Sequence, residues 1–195
     1  MNTFRLEHDL LGDREVPGDA WWGVHTLRAL ENYPITGTPL SSCPALVRAL
    51  ALVKSAAAHA NRDLGLIDAP RADVIIAACA EIADGALHDQ FVVDVVQGGA
   101  GTSTNMNANE VIANLALHKL GRPSGDYTTL HPIEHVNASQ STNDVYPTAI
   151  KLALSFMIED LLAAMARLRE SYERKADEFA DVLKMGRTQL QDAVP

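Results

Sequence analysis

The sequence predicts a mainly α-helical fold with one short β element near its start. Three observations carry this. A 4-3 apolar spacing runs through Ile150, Leu154, Met157, Leu161, Ala164, Leu168, Tyr172, Ala176, Phe179 and Leu183. Three earlier segments repeat apolar residues at helical intervals between Pro, Asp and Gly breakers. Residues 4–17 alternate only loosely, as a strand or hairpin would.

The elements follow in order. Residues 21–39 read as loop-rich, with Pro34 and Gly37 as breakers. A first helix is expected from Pro44 to just before Gly65, with Leu46, Leu50, Val53, Ala57 and Ala60 on its apolar face. A second is expected over 69–87, with Asp68 as N-cap and Val74, Ala78 and Ile82 in a stripe. A third is expected over 107–120, stopped by Gly121. The fourth, over about 145–183, would be about 58 Å long at a rise of about 1.5 Å per residue. That is far longer than an ordinary globular helix. It carries a second apolar set, Leu152, Phe156, Leu162 and Met165, so it needs neighbours on several sides. An isolated two-stranded coiled coil needs only one stripe.

Composition narrows the function classes. The 195 residues are 47% hydrophobic, enough for a core, with a net charge of −9. An acidic chain is a poor partner for nucleic acid. No basic, then apolar, leader opens the chain, and no run of about 18 apolar residues could span a membrane. Cys43 and Cys79 lack metal or redox spacing and read as two reduced thiols of a cytoplasmic protein. The histidines likewise lack metal-ligand spacing, so no metal site is expected.

Two short phrases recur. Gly98-Gly99-Ala100-Gly101-Thr102-Ser103-Thr104-Asn105 and Ser139-Gln140-Ser141-Thr142-Asn143 each lead a Ser-Thr-Asn into a helical pattern. First-turn N–H groups there lack intrahelical partners, and the helix dipole is positive. With hydroxyl and amide donors added, such a point binds a carboxylate without Lys or Arg. Two of them suggest a substrate with more than one carboxylate. A single Ser-Thr-Asn is more often an ordinary N-cap; two of them with the stretch that follows shift that balance. A third polar stretch, Gly186-Arg187-Thr188-Gln189-Leu190-Gln191-Asp192, follows the long helical pattern.

Together with Asp9-Leu10-Leu11-Gly12, Arg14-Glu15-Val16-Pro17 and Gly23-Val24-His25-Thr26-Leu27-Arg28-Ala29, these motifs resemble the aspartase/fumarase superfamily. The resemblance covers the whole chain and is closest to the branch that releases ammonia. Where that branch's water-releasing relatives carry His-Thr, this chain has Gln189-Leu190, and His131-Pro132-Ile133-Glu134 departs from their His-Pro-Asn-Asp.

The resemblance implies a truncated L-aspartase-like fold: an N-terminal lyase domain over 1–140, then the start of a central helical bundle over 141–195. It implies reversible β-elimination of ammonia from L-aspartate to give fumarate, no cofactor, and a homotetramer. By resemblance Thr102, Ser141 and Thr142 would stabilise the dianion formed on proton removal, and Asn143, Thr188 and Gln189 would meet the amine. Arg28 and Lys54 match positions tied to carboxylate binding or activity; a salt bridge or snorkelling cation explains either equally. The family's serine base and a carboxylate-binding lysine lie beyond residue 195, so no catalytic residue is expected in this chain and it should be inactive alone. A fumarate hydratase-type lyase and a non-catalytic assembly module are the alternatives.

Overall fold

A computed structural model describes residues 4–193. Its contacts separate into two compact units, Met1–Ser155 and Phe156–Pro195.

The first unit opens with an antiparallel hairpin, β1 (Phe4–Asp9) and β2 (Gly12–Pro17), pairing Phe4 with Pro17 and Asp9 with Gly12. Its turn uses Gly12 at φ 107, a conformation open to glycine at little cost. Helix α1 (Val24–Asn32) follows inside the segment expected to be loop. It has no local signal because its N-terminus is capped from afar. Glu110 accepts from the N–H groups of Gly23, His25 and Thr26 at 2.8–3.0 Å, and Glu7 accepts from Val24 at 2.8 Å. Two buried carboxylates thus satisfy its orphan donors.

Helix α2 (Pro44–Asp63) begins with Pro in the first turn, where its missing N–H costs nothing. Its buried face is Val47, Leu50, Ala51, Lys54, Ala58 and Asn61. The expected stripe shares only Leu50 with it: α2 is apolar on several sides, which leaves its phase open, and the buried face is completed by a lysine and an asparagine. Helix α3 (Ala69–Ala83) is capped by Asp68, whose carboxylate accepts from Arg71 N at 3.0 Å. It ends before the expected 87, where Gly85 at φ 109 and Leu87 at φ 57 turn the chain.

Helix α4 (Thr102–Lys119) is buried on nearly every side from Thr104 to Leu117 and packs on α1, α2 and α3. Its polar residues, Asn107, Glu110 and Asn114 among them, are buried with hydrogen-bond partners, as a helix at the centre of a fold requires. A π-turn over Pro132–Val136 then leads to α5 (Thr142–Glu178), 37 residues long. Val145, Ala149 and Ala153 anchor its start in the first unit.

The second unit holds the rest of α5 and a small hairpin, β3 (Arg187–Thr188) with β4 (Gln191–Asp192). The helix ends at Glu178, short of the expected 183. Both of its apolar sets are open: Leu154 is 51% exposed, Leu161 56%, Leu162 58% and Leu168 56%.

Candidate functional site

The site is built around the N-termini of α4 and α5. Helix α4 starts five residues before the expected 107. Gly101, at φ 84, is its N-cap residue, and a Cβ there would collide with the ring of Tyr146. No side chain at the cap position itself accepts a bond. Gln97 does that work, its Oε1 accepting from Thr104 N at 2.8 Å while its Nε2 donates to Thr104 Oγ1 at 2.8 Å. The tripeptide therefore lies inside the helix. Thr104 and Asn105 are buried, and only Thr102, the first helical residue, is exposed.

Helix α5 is capped locally. Ser141 Oγ accepts from Asn143 N at 3.2 Å, and its carbonyl accepts from Val145 N at 3.0 Å. Thr142 is the first helical residue, half-buried, with Ser141 and Asn143 exposed on either side. The start falls three residues before the expected 145. Helical position thus equates Thr102 with Thr142, two residues out of step with the repeated tripeptide.

Between the two termini lies an amide cluster, with Lys54, Asn105 and Asn109 buried and Asn137 half-buried. Asn137 Oδ1 accepts from Lys54 Nζ at 2.7 Å, Asn105 Nδ2 at 3.0 Å and Asn109 Nδ2 at 3.3 Å. Asn105 Nδ2 also donates to Thr142 Oγ1 at 3.2 Å, tying α4 to the start of α5. Lys54 is 0% exposed and makes no salt bridge among the described residues. Burial pushes its amine down to about 7, and burial pushes the facing Cys79 thiol up to about 12. Lys54 is therefore not the snorkelling surface cation that was the alternative expectation for it. The Oδ1 atoms of Asn105 and Asn109 have no hydrogen-bond partner among the described residues.

Arg28 is committed elsewhere. It grips Asp9 with two bonds of 2.7 Å and donates to Gly12 O at 3.0 Å, tying α1 to the β1–β2 turn. The hydrogen bond from Arg28 holds Asp9 below the usual carboxylate range. His131 Nδ1 accepts from Ile133 N at 3.0 Å and Glu134 N at 3.2 Å, which gives its ring a capping role. Asp94 accepts from Thr36, Gly37 and Val96 N–H groups; burial opposes its ionisation, but these bonds hold it at about 2.

In the second unit, Thr188 pairs with Gln191, and Gln189 occupies the two-residue turn at φ 47. Both Thr188 and Gln189 are exposed. No group of three or more His, Cys, Asp or Glu among the described residues could hold a metal.

The structure therefore gathers Thr102, Ser141, Thr142 and Asn143 around two helix starts, with Lys54 behind them. It gives Arg28 to Asp9. Sequence reasoning missed Asn105, Asn109 and Asn137 as a unit. Asn105 was visible in the repeated tripeptide, but Asn137 sits in an irregular stretch without any periodic signal.

The starts of α4 and α5 thus meet over a cluster of Lys54 and three asparagines in a mainly helical fold. The chain belongs to the lyase family, whose model matches residues 12–195. It is 58% identical over 191 residues to an aspartate ammonia-lyase of Pseudomonas aeruginosa, covering 98% of this chain and 40% of that protein. It is 55% identical over 195 residues to that of Escherichia coli K12, covering 100% and 41%. A fumarate lyase:delta crystallin structure from Brucella melitensis superposes with a TM-score of 0.94 at 58% identity, covering 99% of this chain and 42% of that one. A class II fumarase from Schistosoma mansoni gives 0.89 at 36%, covering 99% and 40%. The chain thus spans about 40% of the length of the curated relatives it matches.

Proposed function

We propose that this chain supplies the dicarboxylate-binding part of an aspartate ammonia-lyase, which eliminates ammonia from L-aspartate to give fumarate. The observation that carries it is the pairing of two helix N-termini, each presenting a threonine hydroxyl at its first position, joined by the Asn105–Thr142 hydrogen bond. The proton beside the β-carboxylate of aspartate is very weakly acidic. Its removal becomes accessible when preformed donors meet the charge that develops on that carboxylate. Thr102, Ser141 and Thr142 fit that role, because first-turn N–H groups and hydroxyls are presented together at the two helix starts, Asp144 being the one acidic side chain in those first turns. Asn143, Thr188 and Gln189 would meet the amine, whose N–H groups an amide oxygen accepts. The base that takes the proton would come from outside residues 1–195.

The exposed apolar sets on α5 support a homotetramer in which other copies cover them. A lyase domain over 1–140 followed by the start of a helical bundle over 141–195 fits the helix start at Thr142, whereas the contacts divide the chain after Ser155. A cytoplasmic setting fits the two free cysteines, and no helix among the described residues is long and apolar enough to cross a membrane.

The test is a chimera in which this chain replaces the matched portion of the Pseudomonas aeruginosa relative. Fumarate formation from L-aspartate, followed by its ultraviolet absorbance, is expected in the chimera and not in the 195-residue chain alone. Fumarate from malate in place of aspartate would overturn the assignment, and so would turnover by this chain alone.

A further inference from the structure

A threonine hydroxyl can donate or accept, and its neighbours decide which. Around Thr142 that choice is traceable through buried groups. When protonated, the Lys54 ammonium has three donors and no acceptor, so the atom of Asn137 facing it at 2.7 Å is then the oxygen. The other end of the same amide, Nδ2, donates to the carbonyl of Gln140 at 3.1 Å, and a carbonyl can only accept. Two fixed partners on opposite sides therefore allow Asn137 one orientation. With Asn137 Oδ1 as acceptor, Asn105 must present its NH2 group, at 3.0 Å. One amide hydrogen goes to Asn137 and the second to Thr142 Oγ1 at 3.2 Å. Asn109 adds a third donor to Asn137 Oδ1 at 3.3 Å, in agreement with that polarity. Thr142 Oγ1 thus accepts from behind, which turns its own hydrogen away from the protein's interior.

We propose that Asn105, oriented by Asn137 and Lys54, is a positioning residue that makes Thr142 a one-way hydrogen-bond donor toward a substrate carboxylate. The inference rests on the reading of Thr142 as a carboxylate contact. It adds a source of specificity: a carboxylate oxygen satisfies such a hydroxyl, whereas an amide NH2 or an ammonium in that place meets hydrogen with hydrogen. The buried lysine is then neither a ligand nor a structural cation. It breaks the symmetry of a chain of neutral amides.

The polarity is read in the 195-residue chain itself from the Asn105 side-chain amide resonances. Thr142→Val should move one Nδ2 proton and Asn137→Leu the other. If neither substitution moves them, the orientation is wrong and the proposal falls. The consequence is read in the active chimera as kcat/KM for L-aspartate and as inhibition by succinate. Thr142→Val and Asn105→Asp should each lower kcat/KM about a hundredfold. Asn105→Asp presents only acceptors and turns the Thr142 hydrogen inward, so in the Thr142→Val background it should cost less than about threefold more. Asn105→Leu reads the same cycle if the Asp variant does not fold. Equal losses in both backgrounds would make Asn105 a packing residue and overturn the proposal. A Thr142→Val variant of full activity would instead remove the carboxylate reading on which it rests, before any Asn105 variant is scored.

Discussion

The same tripeptide begins two helices and does different work in each. In α5, Ser141 stands outside the helix as its cap, Thr142 opens it and Asn143 points to solvent. In α4, Ser103, Thr104 and Asn105 occupy the second to fourth helical positions, and Thr104 and Asn105 are buried. The α4 cap is a glycine helped by Gln97 from five residues before the helix. Position relative to the first turn, not sequence likeness, decides whether a hydroxyl is open or buried in the core. By that criterion Thr102 and Thr142 correspond, and Thr104 corresponds to neither.

The largest contrast should come from the buried side. Lys54 lies at about 7 in the folded chain against 10.5 ordinarily. Between those values the unfolded chain binds a proton that the folded chain does not, so stability rises with pH across that window. Below about pH 7 both states carry the charge and the burial penalty is complete. Lys54→Met should therefore be more stable than the parent at low pH by on the order of 4 kcal/mol, a gap that closes as pH rises toward 10.5. Urea unfolding at several pH values checks this. A gap that does not change with pH would show that Lys54 does not titrate in that window. At the α5 tripeptide, where the side chains are open to solvent, Asn143→Ala should show no such pH dependence.

Turnover should separate the two tripeptides next. In the active chimera, Thr142→Val should lose roughly 2.7–4 kcal/mol of transition-state stabilisation, about a hundred- to thousandfold. Thr104→Val should instead strip Gln97 of a buried partner, costing about 1–3 kcal/mol of folding stability with turnover kept within a few-fold. Steady-state kinetics set beside thermal melts decide it. The reverse pattern would return the catalytic role to the literal sequence repeat.

The fold was legible where periodicity is strong. The 4-3 spacing of α5, the glycine stops and the Asp68 cap all appear in the structure. What was hidden depends on partners distant in sequence. Helix α1 could not be read because Glu7 and Glu110, not a neighbouring Ser or Asp, cap it. The α2 face was misplaced because apolar residues occur on several sides of that helix, and the polar Lys54 and Asn61 on the buried side mask its true phase. The α4 start was missed because Gln97 caps it across a glycine loop. At the site, Thr102 and the Ser141-Thr142-Asn143 run were visible as helix-start chemistry. Their link through Asn105 and Asn137 was not, since an amide hub leaves no period.

The α4 loop should be the more rigid of the two helix starts, held by Tyr146 against Gly101 and Tyr33 against Gly98. Gly101→Ala would force a side chain into the left-handed region and against the Tyr146 ring, costing about 1–3 kcal/mol. Thermal unfolding measures it. A change below about 0.5 kcal/mol would mean the loop yields easily.

The smallest effect is the cap itself, and it tests whether one residue can hold two roles. Ser141 Oγ accepts from Asn143 N, which leaves its own hydrogen free to donate outward. Ser141→Ala removes both functions. It should cost about 1 kcal/mol of stability and, in the chimera, a much larger share of turnover. Ser141→Asp separates them. Its carboxylate keeps the cap and suits the positive helix end, so stability should match the parent within about 0.5 kcal/mol. It offers no hydrogen to a substrate carboxylate and repels one, so turnover should fall at least as far as in the Ala variant. Ser103, by contrast, sits at the second helical position of α4 and caps nothing. Ser103→Ala should therefore leave stability within about 0.5 kcal/mol. If Ser141→Asp turned over normally, Ser141 would be a cap alone, and the α5 tripeptide would be left with Thr142 as its working donor.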